Sequence, residues 1–441
     1  MSFRPYSSYG SAGPWLGERP AHWALGRFKQ VFRERDERSA DGTEELLSVS
    51  AYTGVSPRRE IIDEGDHLSR AESLEGYKRC WRDDLVMNIM LAWNRGLGFA
   101  RHEGIVSPAY CVFEVKDGSA PRYLDYLLRS DETIRYFKAF SAGVIDSRLR
   151  LYPDAFLSLS CALPPASEQL AIAAFLDRET AKIDALVEEQ RRLIELLREK
   201  RQAVISHAVT KGLDPSAPMK DSGVEWLGEV PAHWQVRRVK HLARMESGHT
   251  PDRKVAAYWE NCTIPWVSLH DTAYLKDHDY IEETAQLVNE LGLANSSARL
   301  LPERAVVFSR DATIGRCAIT TRAMAVSQHF IAWLCSDSVL PEFLLYCLRS
   351  MEHELQRFTF GATLKTIGMP DVRKLTVAVP PVREQHDVVN RIRASVARLD
   401  GLIAAAEEAR SLLSERRAAL ISAAVTGKID VRDAAPNAEA A

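Results

Sequence analysis

The strongest constraint on this chain is that it repeats itself. Residues 15–23 read Trp-Leu-Gly-Glu-Arg-Pro-Ala-His-Trp, and residues 226–234 repeat the string with one change, Val230 in place of Arg19. Further on, residues 164–214 align without a gap with residues 380–430. Both segments open on Pro-Pro-x-x-Glu-Gln (Pro164, Pro165, Glu168, Gln169; Pro380, Pro381, Glu384, Gln385). Both close on near-identical strings, Arg201 to Asp214 and Arg417 to Asp430. Fixed-period self-similarity sets the architecture before any local reading does. Between the shared strings, residues 24–163 and 235–379 show only scattered similarity. The chain is therefore two copies of one unit with constant ends and different middles. Drift alone would erode ends and middles alike, so the constant ends are expected to face a common partner and the middles different ones.

The common segments predict long helices. From Ile183 apolar residues recur every three or four positions through Leu186, Val187, Leu193, Ile194, Leu197, Val204, Ile205 and Ala208, with no Gly or Pro among them. The second copy runs Leu399, Leu402, Ile403, Ala406, Ala409, Leu413, Leu420, Ile421 and Ala424. Each Pro-Pro pair starts a new element, because proline is tolerated before a helix but not inside it. Gly212 and Gly427 are placed to end the helices. A helix this long with a narrow apolar seam needs a partner. The second copy supplies one, expected antiparallel, with Ala404, Ala405, Ala406 and Ala409 thinning its seam. The expected fold is α+β. Two mixed α/β bodies stand in tandem, each followed by a long common helix, and the helices pair as an antiparallel coiled coil with pseudo-two-fold symmetry.

The domain boundaries follow: a first body over 1–163, a common helix over 164–214, a second body over 215–379, the second common helix over 380–430, and a disordered tail over 431–441. Within the bodies, strand-like runs cover Tyr110–Val115, Ile264–Ser268, Ala305–Phe308 and Phe330–Cys335. Helical runs cover Tyr123–Arg129 and Glu342–Arg349. Loops rich in Gly, Ser, Thr and basic residues lie at 94–98, 141–148, 246–254 and 360–366. Such loops on a rigid scaffold are where binding residues concentrate, since Gly allows close approach and Lys, Arg and Thr donate to phosphates and base edges.

Motifs for catalysis are missing. There is no GxxxxGK[ST] loop and no Rossmann GxGxxG after a strand. Neither Pro-Pro pair has the flanking Asn or Asp and aromatic of an amino-methyltransferase tetrapeptide. Glu114-Val-Lys116 is too short a pattern to mark a nuclease, and His22 and His233 read as packed residues of the repeated motif. Seven sparse cysteines with no CxxC pair fit reduced thiols rather than zinc or disulfides. The N-terminus lacks the apolar core of a secretory signal, and no apolar run reaches membrane-spanning length, so a cytoplasmic protein is expected.

The architecture resembles the specificity (S) subunit of type I restriction-modification systems. Members start each half with a motif like Trp-Leu-Gly-Glu-x-Pro-x-His-Trp and end each recognition domain in Pro-Pro-x-x-Glu-Gln before a helix. Asn88-Ile-Met90 and Glu103 through Tyr110 look like family strings in the first body. Ser247-Gly-His-Thr-Pro251, Tyr258-Trp259, Ile264-Pro-Trp-Val267, Thr313-Ile-Gly315 and Gln328 do so in the second. One departure is His249, where a small residue is frequent.

The resemblance implies that each body is a target-recognition domain reading one half of a split double-stranded DNA sequence, and that the helices act as a ruler between half-sites. It implies docking of two modification (methyltransferase) subunits and, through them, of restriction (motor/nuclease) subunits. S-adenosylmethionine, ATP and Mg are expected on those partners and no cofactor on this chain, a non-catalytic subunit. Because the bodies differ, the target is expected to be asymmetric. The candidate DNA-binding residues are Arg58, Arg59, Arg95, Arg148, Thr250, Arg253, Lys254, Arg310 and Lys365. The candidate partner-binding residues are Trp15, Trp23, Trp226, Trp234, Glu168, Gln169, Glu384 and Gln385. A stand-alone nuclease–methyltransferase and a protein-binding scaffold are the rival readings. A net charge of -3, spread so that every segment is near neutral, predicts weak DNA binding by the chain alone, because phosphate neutralisation supplies most non-specific affinity.

Overall fold

The computed structural model describes residues 4–51, 54–60, 73–145, 148–360 and 365–433. Parts of the loops read at 141–148 and 360–366, and residues 434–441 of the tail, lie outside the described residues. The chain divides into two compact units, Met1–Arg191 with Glu408–Ala441, and Arg192–Glu407.

Each unit is built on an antiparallel sheet of the same order. In the first, Phe32–Arg35 pairs with Tyr110–Val115, which pairs with Leu85–Asn88, which pairs with Leu97–Phe99. In the second the order is Ala243–Ser247, Phe330–Cys335, Val306–Ser309 and Cys317–Thr320, extended by Tyr280–Ile281 in parallel. The inner strands Leu85–Asn88 and Val306–Ser309 are buried on both faces because both are covered. Leu85 and Met87 join one core and Val86 the other; Val306 and Phe308 face one core and Val307 the other. That two-residue alternation splits each continuous apolar run between two layers.

The constant ends meet each other. The strand Ala24–Arg27, right after the first repeated motif, pairs with Ser160–Leu163, right before Pro164. Gln235–Arg238 pairs with Thr376–Val379 in the same way. A variable body is thus closed at its base by a two-stranded clasp next to the constant strings, and the long helix starts from there.

The long helices are Ala166–Lys211, of 46 residues, and Val382–Val425, of 44. They begin at the residue directly after their proline pairs, earlier than the seam alone shows. Gly212 and Gly427 follow them in left-handed conformation, φ 75° and 72°, as the ends of the helices require. Within the first unit Asp184 pairs with Arg417 at 2.7 Å. Within the second, Arg198 pairs with Glu407 at 2.9 Å and Arg201 with Asp400 at 2.9 Å. Rising numbers on one helix match falling numbers on the other, so the pairing is antiparallel. The buried seam includes Ile183, Ile194 and Ala208 on one helix and Ile392, Leu399, Ala406 and Ala424 on the other. Leu186, Leu193 and Leu402, expected in the seam, are exposed, and so are Ala404 and Ala405. The seam instead follows the strict three-four alternation 183, 187, 190, 194, 197, 201, 204, 208, which takes in Gln190 and Arg201.

Candidate nucleic-acid interface

In the second unit the strand Val306–Ser309 leaves the sheet into a loop held from three sides. Ser309 O accepts from Gly315 N at 3.0 Å, and Ser309 Oγ accepts from Arg316 N at 3.0 Å. Ala312, at φ 60°, and Gly315, at φ 87°, make the reversal. Arg310 N donates to His329 O at 2.9 Å, Ile367 N to Arg310 O at 2.9 Å, and Ala312 N to Lys365 O at 2.8 Å. Asp311, 6% exposed, sits at the junction: its carboxylate meets His329 Nδ1 at 2.8 Å and accepts the Thr366 hydroxyl. The Arg310 guanidinium extends past it, its Nε 3.5 Å from Asp311 Oδ1 and without a hydrogen bond. The buried Ser327 hydroxyl beside them also makes none.

The loop after Ala243–Ser247 joins this cluster. Gly248 N donates to Phe330 O at 3.3 Å and His249 N to Val326 O at 3.1 Å. A Cβ at Gly248 would stand 2.1 Å from Ser327 O, so only glycine fits. His249 accommodates its larger side chain by pointing it outward, exposed, while its carbonyl accepts from Trp266 Nε1 at 3.2 Å. Further along, Arg253 lies 4.9 Å from the Trp259 ring centroid and 5.6 Å from that of Trp266, and bonds Gln286 at 3.0 Å. Arg253, Lys254 and Lys365 are exposed and Thr250 is half-buried. Arg310 and Lys365 are therefore brought together with the 248–249 turn, and 250–254 continues from it.

The first unit uses the equivalent end of its sheet. After Leu85–Asn88 the chain turns through Arg95 at φ 61°. Leu151 N bonds Ile89 O at 2.9 Å, as Ile367 bonds Arg310 in the other unit, and the strand partner of Asn88 is Tyr110. Arg148 is exposed on the adjoining loop. Arg58 stands close to Tyr110, whose phenol burial raises above its ordinary range while Arg58 and Asn88 oppose that rise. The Arg58 Nε is buried without a hydrogen bond. Two other candidates are engaged locally: Arg59 pairs with Glu45 at 2.8 Å, and Arg95 with Asp131 and the Arg129 carbonyl. Glu114 is held by Arg33 and Arg35; the Arg33 bond keeps its carboxyl below the ordinary range.

The eight candidate partner residues divide. Trp23 Nε1 donates to Glu168 Oε1 at 2.9 Å and His22 Nε2 meets Oε2 at 2.8 Å; Trp234 and His233 meet Glu384 at the same two distances. Tyr6 adds a third donor to Glu168 at 2.7 Å. Gln169 accepts from Ala120 N and donates to Pro164 O, and Gln385 does the same with Leu340 N and Pro380 O. These six side chains bind one another and the base of their own body. Trp226 packs half-buried on the second core, and Trp15 is 49% exposed over Tyr136, ring centroids 5.5 Å apart.

Residues missed in the sequence include Asp311 and His329, which fix the loop cluster, and Tyr6. Adjacency to Arg310 was the one available signal for Asp311. Among the described residues no group of three or more His, Cys, Asp or Glu is placed to hold a metal ion, and no helix is long and apolar enough to cross a membrane.

Residues 231–403 match the family model of the type I restriction modification DNA specificity domain. The second body and the start of its long helix thus carry a type I restriction-modification specificity domain, and the chain as a whole is similar to the specificity subunits of those systems. The MjaVIII specificity subunit of Methanocaldococcus jannaschii is 23% identical over 373 residues, covering 79% of this chain and 81% of that relative. The MjaIX specificity subunit of the same organism is 25% identical over 164 residues, covering 37% of this chain and 38% of that relative. The EcoR124I/EcoR124II specificity subunit of Escherichia coli is 24% identical, covering 40% of this chain and 42% of that relative. Among solved structures, a chain from a study of complex assembly and conformational transition of the type I R-M system has a TM-score of 0.70 at 17% identity, covering 92% of this chain and 98% of that one. The HsdS subunit from Thermoanaerobacter tengcongensis gives 0.55 at 18%, covering 95% and 100%. These likenesses place the chain in the tandem α+β fold of the S subunits.

Proposed function

We propose that this chain is the DNA-reading subunit of a type I restriction-modification complex. It reads an asymmetric bipartite target on double-stranded DNA, one half-site per body. It acts in the cytoplasm, carries out no catalysis itself and docks two methyltransferase subunits and, through them, restriction subunits. S-adenosylmethionine, ATP and Mg belong to those partners.

The observation that carries this reading is the use of the same end of the sheet twice with different side chains. In both units the turn leaving the third strand of the sheet order is bonded to the equivalent returning segment (Leu151 to Ile89; Ile367 to Arg310). That shared frame presents Arg58 and Arg148 in one unit and Arg253, Lys254, Arg310 and Lys365 in the other. Basic side chains on a rigid frame position a duplex and read base edges, and two different sets read two different sequences.

Charge reversal of one set tests it. Arg310→Glu with Lys365→Glu, assembled with the cognate methyltransferase, is expected to abolish protection of the half-site read by the second body while the assembled complex keeps its size. Unchanged protection of both half-sites would contradict the assignment.

A further inference from the structure

The two long helices pair through the same contact used twice, and each variable body docks on its helix through a contact of opposite polarity in the two halves. Asp184 and Asp400 are equivalent positions of the repeat, as are Arg201 and Arg417. The ion pairs Asp184–Arg417 and Arg201–Asp400 are therefore one interaction made twice. Nothing in these pairs distinguishes one half of the chain from the other.

The body–helix junction is also built on a shared frame. In each half a short helix of the body, Pro121–Leu128 or Pro341–Ser350, follows a residue, Ala120 or Leu340, whose backbone N–H donates to the repeated glutamine of the long helix, Gln169 or Gln385, at 2.8 Å. The next residue after the starting proline is Arg122 in the first half and Glu342 in the second. Eight positions beyond the glutamine, the long helix carries Asp177 in the first half and Arg393 in the second. Arg122 bonds Asp177 at 2.7 Å, with the Tyr126 hydroxyl donating to the same oxygen at 2.8 Å. Glu342 lies 3.8 Å from Arg393 and is bonded by Arg304 and Tyr280 at 2.9 and 2.8 Å. The frame is the same and the charges are exchanged.

We propose that this exchanged ion pair is a key that matches each body to its own helix. The first body set on the second helix would put Arg122 against Arg393, and the second body on the first helix would put Glu342 against Asp177. Connectivity sets the pairing in the native chain and the common glutamine cap would accept either body, so it is when a body is set on the other helix that the charges separate match from mismatch. Specificity obtained by repulsion of the wrong partner needs only a modest energy when both pairings are otherwise alike. The key stands apart from the DNA-reading proposal, since it concerns which body sits on which helix.

The test is one substitution in two full-length backgrounds. In the native chain Asp177→Arg is expected to lower the thermal midpoint of the first unit by about 2–4 °C. In a chain whose residues 24–163 are replaced by a second copy of 235–379, the same substitution is expected to raise the midpoint, because it restores an arginine opposite Glu342. A substitution that lowers the midpoint in both backgrounds, or moves neither, overturns the key. A native-chain cycle decides the matter even if the replaced chain does not fold: Arg122→Glu and Asp177→Arg together should be more stable than either alone. A double variant no better than its worse single would refute the proposal.

Discussion

Glu168 and Glu384 hold the repeated motif to the start of each long helix, and they are not equally exposed to loss. Glu168 is 5% exposed and accepts from Trp23, His22 and Tyr6, whereas the Glu384 side chain is 30% exposed and accepts from Trp234 and His233. Burial raises the Tyr6 phenol above its ordinary range, and the bond to Glu168 raises it further. Glu168→Ala would strand the Trp23 and Tyr6 donors in the core and is expected to cost about 2 kcal/mol, with Glu384→Ala costing less; chemical denaturation of the two variants checks the order. Four tryptophans, two glutamates and two glutamines were visible as candidates from the repeat alone. Their use was not visible, because a repeated string has the same appearance whether it binds a partner or its own chain. Six of the eight are bonded inside their own unit. The Asp311–His329–Thr366 junction was also hidden, since its members are 18 and 55 positions apart and only the sheet brings them together.

At the scale of elements, the helices and the sheet strands were the most legible parts. Tyr110–Val115 and Phe330–Cys335 are strands over those very spans, since a run of at least four apolar residues in a row suits a strand covered on both faces. The seam was legible only in part. Leu186 and Leu193 obey a seven-residue spacing and yet lie outside, because hydrophobicity alone does not say which of two interleaved heptads is buried. Ile194→Ala, in the true seam, is expected to cost about 3 kcal/mol, and Arg201→Ala under about 1 kcal/mol, as half-exposed ion pairs contribute little; melting of the two variants separates packing from charge.

The junction of the second body also carries a pH dependence. Burial by itself would raise the Glu342 carboxyl, but its backbone N–H, Tyr280 and Arg304 outweigh burial and hold it below the ordinary range. A carboxyl lowered on folding stabilises above its unfolded value, and that stability is lost as pH falls through the folded one. The native chain should therefore lose thermal stability on acidification more steeply than Glu342→Gln, as calorimetry over the acid range would show.

For the whole molecule, the repeat gave two bodies and two helices, and the structure redistributes them: each compact unit takes one body with a part of both helices. No reading of segment boundaries could show this, because an antiparallel pair brings the end of one helix to the start of the other. Near-neutral charge holds throughout, and many arginines are paired with carboxylates, as Arg33, Arg35, Arg59 and Arg95 are. The chain alone is therefore expected to bind DNA weakly and to lose that binding steeply with salt, measurable by fluorescence anisotropy. If the helices set the gap between half-sites, adding one heptad to each, about 10 Å of helix, should lengthen the spacer and leave both half-sites unchanged.

The central claim is that two different bodies on one frame address one DNA target in two unlike parts. Long-read methylation sequencing of cells with and without this chain tests it most directly. The account predicts an adenine-methylated, interrupted motif with unlike halves that disappears when the chain is removed. A palindromic motif, or a methylome that does not change, would contradict it.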